Sequence, residues 1–183
     1  CALFKKKKYI VLSNESSAND TYVKGTTINH QYSKSLEFEN DFRQFCNREL
    51  TSQIEYFSLL RPLNEWNIVK IFTQYPRYLD IFKSCNLGSK QNIWCAKCSK
   101  CLFTYIMLAP FVAEEQLIAV FGKNLLNDEE MIQFFDGLVC DQFDKPFECI
   151  GTRDEINTAL TKTIDRYEAE QKELPLLLQI YKH

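Results

Sequence analysis

Apolar residues follow two rhythms along this chain: one short continuous run near the start, then three- and four-residue spacings that persist to the end. Residues 9–13 (YIVLS) are apolar and β-branched, which predicts a buried strand. The polar stretch 14–20 predicts a loop, and residues 26–31 (TTINHQ), just after Gly25, predict a second short strand. From Ser35 the period changes. Leu36, Phe38, Phe42, Phe45 and Cys46 recur at helical spacing, with acidic residues early, where the helix dipole favours them. Residues 59–62 (LLRP) open a further helix over 63–74, which Pro76 ends before a short helical segment at 77–82. A cysteine-rich loop is expected over 84–100, then a buried helix at 102–108 and further helices at 113–121 and 128–138. Residues 143–150 predict a loop around Pro146. Ile156, Leu160, Ile164 and Tyr167 predict a charged surface helix over 152–172, with Asp154 and Glu155 in its first turn. A short apolar helix, 176–181, follows Pro175. The fold class is therefore α/β but helix-rich, with a few short strands near the N-terminus and a helical region after them.

Length and composition narrow the class. The chain has 183 residues and 45% hydrophobic positions, enough for one compact domain without disulfides. Net charge is −2, from 22 basic and 24 acidic residues, so no broad nucleic-acid footprint is expected. No apolar run approaches the ~18 residues of a membrane helix, so no membrane partner is expected either. The start, Cys1-Ala-Leu-Phe and then Lys5 to Lys8, has the wrong charge order for a signal peptide and lacks Met. The chain reads as a fragment of something longer.

The eight cysteines carry the strongest local chemistry. Cys85, Cys95, Cys98 and Cys101 form Cys-x9-Cys-x2-Cys-x2-Cys, a spacing that suits a closed structural zinc site. An Fe–S cluster also takes four cysteines, and ordinary buried thiols are the plainer alternative. Lys97 and Lys100, between the ligands, would offset the charge of a zinc–thiolate centre. Cys46, on a helix face, reads as core. Reduced thiols point to a cytoplasmic setting.

Three polar runs could carry function. Asn14, Glu15, Ser17 and Asn19 follow the first strand, and α/β proteins bind ligands at the carboxyl ends of strands. His30, Gln31, Lys34, Ser35 and Glu37 lie between a strand and a helix start, supplying a proton-transfer group, a cation and helix N-terminal donors. Glu148 and Cys149 sit in the third run, beside Pro146, and either could exchange a proton. Each run reads equally as loop, and Cys149 as a core thiol.

The phrases SNESSAN (13–19), NHQYSKSLEFE (29–39), YFSLLRPLNE (56–65), SCN (84–86), WCAKCSKCLF (94–103), LAPF (108–111) and PFECIGT (146–152) occur in one order. Together they resemble the bacterial UDP-N-acetyl-α-D-muramoyl-L-alanyl-L-glutamate epimerase family over about residues 8–155. The resemblance implies the C-terminal portion of such an enzyme, as one domain: residues 1–155 with the zinc loop 84–101, and residues 156–183 as its last helices. More distantly, the strand, polar loop and four-cysteine pattern look like the PP-loop ATP pyrophosphatases, including 7-cyano-7-deazaguanine synthases. Their SGG-x-[DE]-S loop has no counterpart here. The resemblance places it upstream, so that the strands continue an upstream PP-loop-like sheet.

What the resemblance implies is an ATP- and Mg-dependent isomerase of peptidoglycan biosynthesis, with structural zinc. Its partners would be a UDP-linked muramoyl dipeptide, ATP and the missing N-terminal half. Lys34 would face an anion, and His30, Glu15 or Glu37 would move a proton. Asn14, Ser17, Asn19, Gln31 and Ser35 would bind nucleotide or substrate, and Glu148 and Cys149 form an outside candidate pair. The fragment alone is expected to be inactive. Two competing readings are another adenylating PP-loop enzyme of nucleobase or tRNA modification, and a zinc-stapled interaction module without activity. A thiol-nucleophile hydrolase fits poorly, since His30 is the sole internal histidine.

Overall fold

The computed structural model describes residues 2–19, 28–29, 31–146 and 148–182, with the Asn19 side chain left aside. The chain divides into two compact units, Cys1–Ile68 and Val69–His183.

In the first unit, β1 (Tyr9–Leu12) pairs in parallel with β2 (Glu55–Ser58), Tyr9 opposite Glu55 and Leu12 opposite Ser58. Helix α1 (Leu36–Phe45) lies between them in sequence and continues into a wider turn, Cys46–Leu50. Ser35 is its N-cap, accepting from the Phe38 N–H at 3.1 Å. Phe42 of α1 packs edge-on against Tyr56 of β2 at 4.8 Å. Phe38 stacks on Phe42 at 5.8 Å.

Three expectations change here. The run at residues 9–13 is a strand but not a buried one: Tyr9 and Val11 are 52% and 51% exposed. Its alternation puts Ile10 and Leu12 half-buried and the other two residues outward. The strand expected at 26–31 lies largely outside the described residues; Ile28 and Asn29 lack regular structure and Gln31 begins a turn. The actual partner strand, Glu55–Ser58, has charge and hydroxyl at its ends, which masked its period. Residues 59–62 form a turn rather than a helix start, and α2 (Glu65–Phe72) begins after it.

The second unit is helical. Helix α3 (Ser99–Leu108) is buried at all ten positions, the signature of a central helix wrapped on every side. Around it come α4 (Glu114–Phe121), α5 (Ile132–Val139) and α6 (Arg153–Ala169), while α7 (Leu176–Lys182) packs on α6 and the turn at Leu125–Asn127. A chain of rings, Phe72, Phe82, Trp94, Phe121 and Tyr105, runs with neighbouring centroids 4.7–5.4 Å apart. It ties the segment before the cysteines to α3 and α4. Gly122 ends α4 with φ of 86°, a left-handed position that glycine adopts without strain.

Helix α6 buries Ile156, Leu160, Thr163 and Tyr167 along one side, with Glu155 buried in its first turn and Asp154, Lys162, Asp165 and Glu168 exposed. Thr152 and Glu155 form a capping box at its start. Thr152→Ala should destabilise this unit by about 1 kcal/mol, read as a lower urea midpoint at unchanged slope.

Candidate functional site

Two constructions carry chemistry, one in each unit. In the second unit, the chain folds back on itself after Cys85. The Gly88 N–H donates to Cys85 Sγ at 3.2 Å, and the Gly88 carbonyl accepts from Ile93 at 3.1 Å. A Cβ at Gly88 would lie 2.2 Å from the Ile93 carbonyl oxygen, so only glycine closes this loop. Trp94 then anchors the chain in the ring stack. Ala96 takes φ of 54°, turning Cys95 back toward Cys98, and Cys101 enters on the first turn of α3.

The four sulfurs lie within 4.8 Å of one another. Cys85 to Cys98 is 3.9 Å and Cys95 to Cys101 is 3.7 Å. Sulfurs at the corners of a tetrahedron with about 2.3 Å metal bonds stand about 3.8 Å apart. The group is therefore spaced for one tetrahedral ion, and it could hold a metal. Its electrostatics point the same way. The hydrogen bond from Cys101 holds the Cys98 thiol down to about 5, despite burial. Burial pushes Cys95 up to about 11. Cys101 is pushed up by its hydrogen bond to Cys98 and by burial. Four thiols this close cannot all ionise alone, and a cation among them removes that conflict.

Residues beside the ligands reach the third polar run. Asn86 donates to the Glu148 carboxylate, and the largely buried Lys100 donates to the Cys149 carbonyl. Glu148 and Cys149 are both half-buried. Lys100 thus serves this loop, whereas Lys97 is exposed. Cys46, expected in the core, is half-buried at the end of α1.

In the first unit, the polar residues gather where β1 and β2 end. Asn14 donates to Ser58 Oγ at 3.1 Å, joining the carboxyl ends of the two strands. The Glu15 carboxylate accepts from the Ala18 N–H at 3.2 Å and from the N–H of Ser17, which is buried. Asn29 donates to the Ala18 carbonyl at 2.8 Å and accepts from the Gln31 N–H at 2.8 Å. Lys34 reaches Gln31 Oε1 at 3.4 Å. Asn14, Glu15, Ser17, Gln31 and Lys34 thus share one neighbourhood. Ser35 sits beside them as the α1 cap, and Glu37 is exposed on the first turn. His30 and the Asn19 side chain lie outside the described residues.

The hub of this neighbourhood is a pair the sequence reading passed over. Arg61 donates to the Glu15 carbonyl at 2.8 Å, the Lys34 carbonyl at 2.9 Å and Glu39 Oε2 at 2.9 Å. Glu39, 3% exposed, also accepts from the Ser58 N–H at 3.1 Å and from Arg43 at 2.9 Å. Burial opposes its charge, but the hydrogen bonds from Ser58 and Arg61 outweigh burial and hold its carboxyl below the usual range. The available signal was helical phase. Glu39 shares a face with Ser35, Phe42 and Arg43, an inward acid with a cation four residues on.

Comparison with known proteins adds the following. The MurL C-terminal domain model matches residues 81–181, and the MurL N-terminal domain model matches residues 1–59. A UDP-N-acetyl-α-D-muramoyl-L-alanyl-L-glutamate epimerase of Xanthomonas oryzae pv. oryzae is 38% identical over 167 residues, 87% of this chain and 37% of that protein. The enzyme of the same name from a Micromonospora species is 39% identical over 158 residues, 83% of this chain and 35% of its own length. The chain thus spans about a third of the curated relatives it matches. No solved structure matches it. Among the described residues, no helix is long and apolar enough to cross a membrane.

Two outcomes are expected. Elemental analysis should find one metal ion per chain with four thiols shielded from a thiol reagent, and Cys98→Ser should lose the ion. Glu39→Gln should destabilise the first unit by about 2 kcal/mol at neutral pH. Because the folded carboxyl lies below its ordinary 4.5, its contribution is complete above that value and fades as pH falls through the lower one. The gap between variant and wild type in denaturant titrations should therefore close in acid.

Proposed function

We propose, from the premise that the chain belongs to the MurL family of UDP-N-acetyl-α-D-muramoyl-L-alanyl-L-glutamate epimerases, that it is part of an enzyme inverting the terminal glutamate of a UDP-linked muramoyl dipeptide. The observation that carries this reading is the matched pair of family models in order along the chain, with the polar residues of the first unit gathered at the carboxyl ends of parallel strands. The finer reading extends the fold to an upstream PP-loop-like sheet that binds ATP with Mg, works in the cytoplasm, and leaves this chain inactive by itself.

The chemistry follows from acidity. The α-hydrogen of a glutamate whose own carboxylate is ionised is a very weak acid. Attack of that carboxylate on the α-phosphorus of ATP gives an acyl adenylate and releases pyrophosphate. The acyl group now accepts electron density, so a base can take the α-proton, and a second donor returns one to the opposite face. Water then cleaves the adenylate to carboxylate and AMP. In this reading Lys34 faces an anionic group, and His30, Glu15 or Glu37 moves the proton. Asn14, Ser17, Asn19, Gln31 and Ser35 bind nucleotide or substrate, and Glu148 with Cys149 is a further candidate pair. Cys85, Cys95, Cys98 and Cys101 hold structural zinc, with no open position for catalysis.

The test is turnover of the longer protein that contains this chain, with ATP, Mg and the L-Glu dipeptide nucleotide in heavy water. The expected products are AMP, pyrophosphate and D-Glu dipeptide carrying deuterium at the α-carbon. Lys34→Ala should lower the rate about 100-fold. AMP formation with a nucleobase or tRNA substrate instead would favour the other adenylating class. Absence of any ATP turnover would favour an interaction module.

A further inference from the structure

The first unit contains two parallel strands whose outer edges differ, and the difference is readable atom by atom. The Glu55 N–H donates to the Lys8 carbonyl at 2.8 Å and the Leu59 N–H to the Leu12 carbonyl at 2.9 Å. With the register fixed, Ile10 and Leu12 point their main-chain groups toward β2, whereas Tyr9 and Val11 point theirs away. On β2, Tyr56 and Ser58 point away from β1. Those two are not left bare. The Tyr56 carbonyl accepts from Arg43 Nε at 3.0 Å, and the Ser58 N–H donates to Glu39 at 3.1 Å. Glu39 and Arg43, four residues apart on α1, thus stand in for a neighbouring strand and close the β2 edge.

Nothing comparable closes β1. Among the described residues, the N–H and C=O groups of Tyr9 and Val11 meet no hydrogen-bond partner, and both residues are about half exposed. Parallel strands are normally covered on both faces and extended by further strands, because a crossover that leaves the sheet must return to it. Two strands are few for a parallel sheet, and here the pair is supported by packing against α1, where Phe42 meets Tyr56.

We propose that β1 is an inner strand of a wider sheet: a strand from the part of the protein outside this chain pairs along Tyr9 and Val11, and β2 is the last strand on its side. The occupant follows from length: the matched regions are 37% and 35% of the relatives' own lengths, and the MurL N-terminal domain model covers both strands of this sheet. A second copy is the competing occupant. The proposal rests on the reading of the chain as part of a longer enzyme, though not on the identity of its substrate.

The experiment is amide exchange at residue resolution on the longer protein and on this chain, with Val11→Pro in both. In this chain the Tyr9 and Val11 amides should exchange as unprotected groups. In the longer protein they should slow at least about 100-fold, alongside Ile10 and Leu12. Val11→Pro removes only an outward N–H, so it should leave the Ile10, Leu12 and Phe57 amides of this chain as protected as before. In the longer protein it should abolish the added protection of Tyr9. Tyr9 and Val11 exchanging equally fast in both proteins would overturn the proposal. So would protection that appears in this chain and grows with its concentration, which would mark a second copy. Loss of epimerase activity with the edge still protected would count against the enzymatic reading and leave the edge intact.

Discussion

A carboxylate placed in an apolar interior must be paired, and in the first unit that requirement organises everything around it. Glu39 sits on the inward face of α1, beside the outer edge of β2, where water cannot solvate it. Its two oxygens are answered by Ser58 at the end of β2, by Arg43 one turn along and by Arg61 from the following turn. Arg61 in turn holds the carbonyls of Glu15 and Lys34, which belong to the two polar loops. One buried charge thereby fixes helix against sheet, closes a sheet edge and sets the distance between the loops where the candidate binding residues lie. Removing either partner would leave the other charge uncompensated, so the pair is kept as a unit.

The second unit meets a different constraint in a similar way. Four sulfurs are brought together by a glycine that tolerates a close carbonyl, by a left-handed Ala96 and by the first turn of a fully buried helix. Their mutual proximity is costly without a cation and favourable with one. The residues adjoining the ligands, Asn86 and Lys100, carry the position of the cluster outward to the loop of Glu148 and Cys149. The cluster is thus a scaffold whose influence extends to polar groups it does not touch.

Much of this was legible from residue order. The helices α1, α4, α5, α6 and α7 follow from apolar spacing, because a helix that buries one face advertises its period, and α3 follows from a continuous apolar run. The cysteine cluster follows from local spacing, because ligands two residues apart meet the same ion whatever the rest of the fold does. β2 was not legible. Glu55 and Ser58 bracket two aromatic residues, and four positions are too few for a period to show. The exposure of Tyr9 and Val11 was equally hidden, since an apolar run looks the same whether its faces are covered or bare.

Residue order alone carries the helical region, the four cysteines that could hold a metal and the family, because each depends on spacing along the chain. The pairing of β1 with β2 and the Glu39–Arg61 hub emerge only on folding. Both join residues more than twenty positions apart, at Arg61 and Glu39 or at Leu12 and Ser58. A charge becomes a hub only when burial strips it of water, and burial is a property of the folded chain rather than of any segment within it.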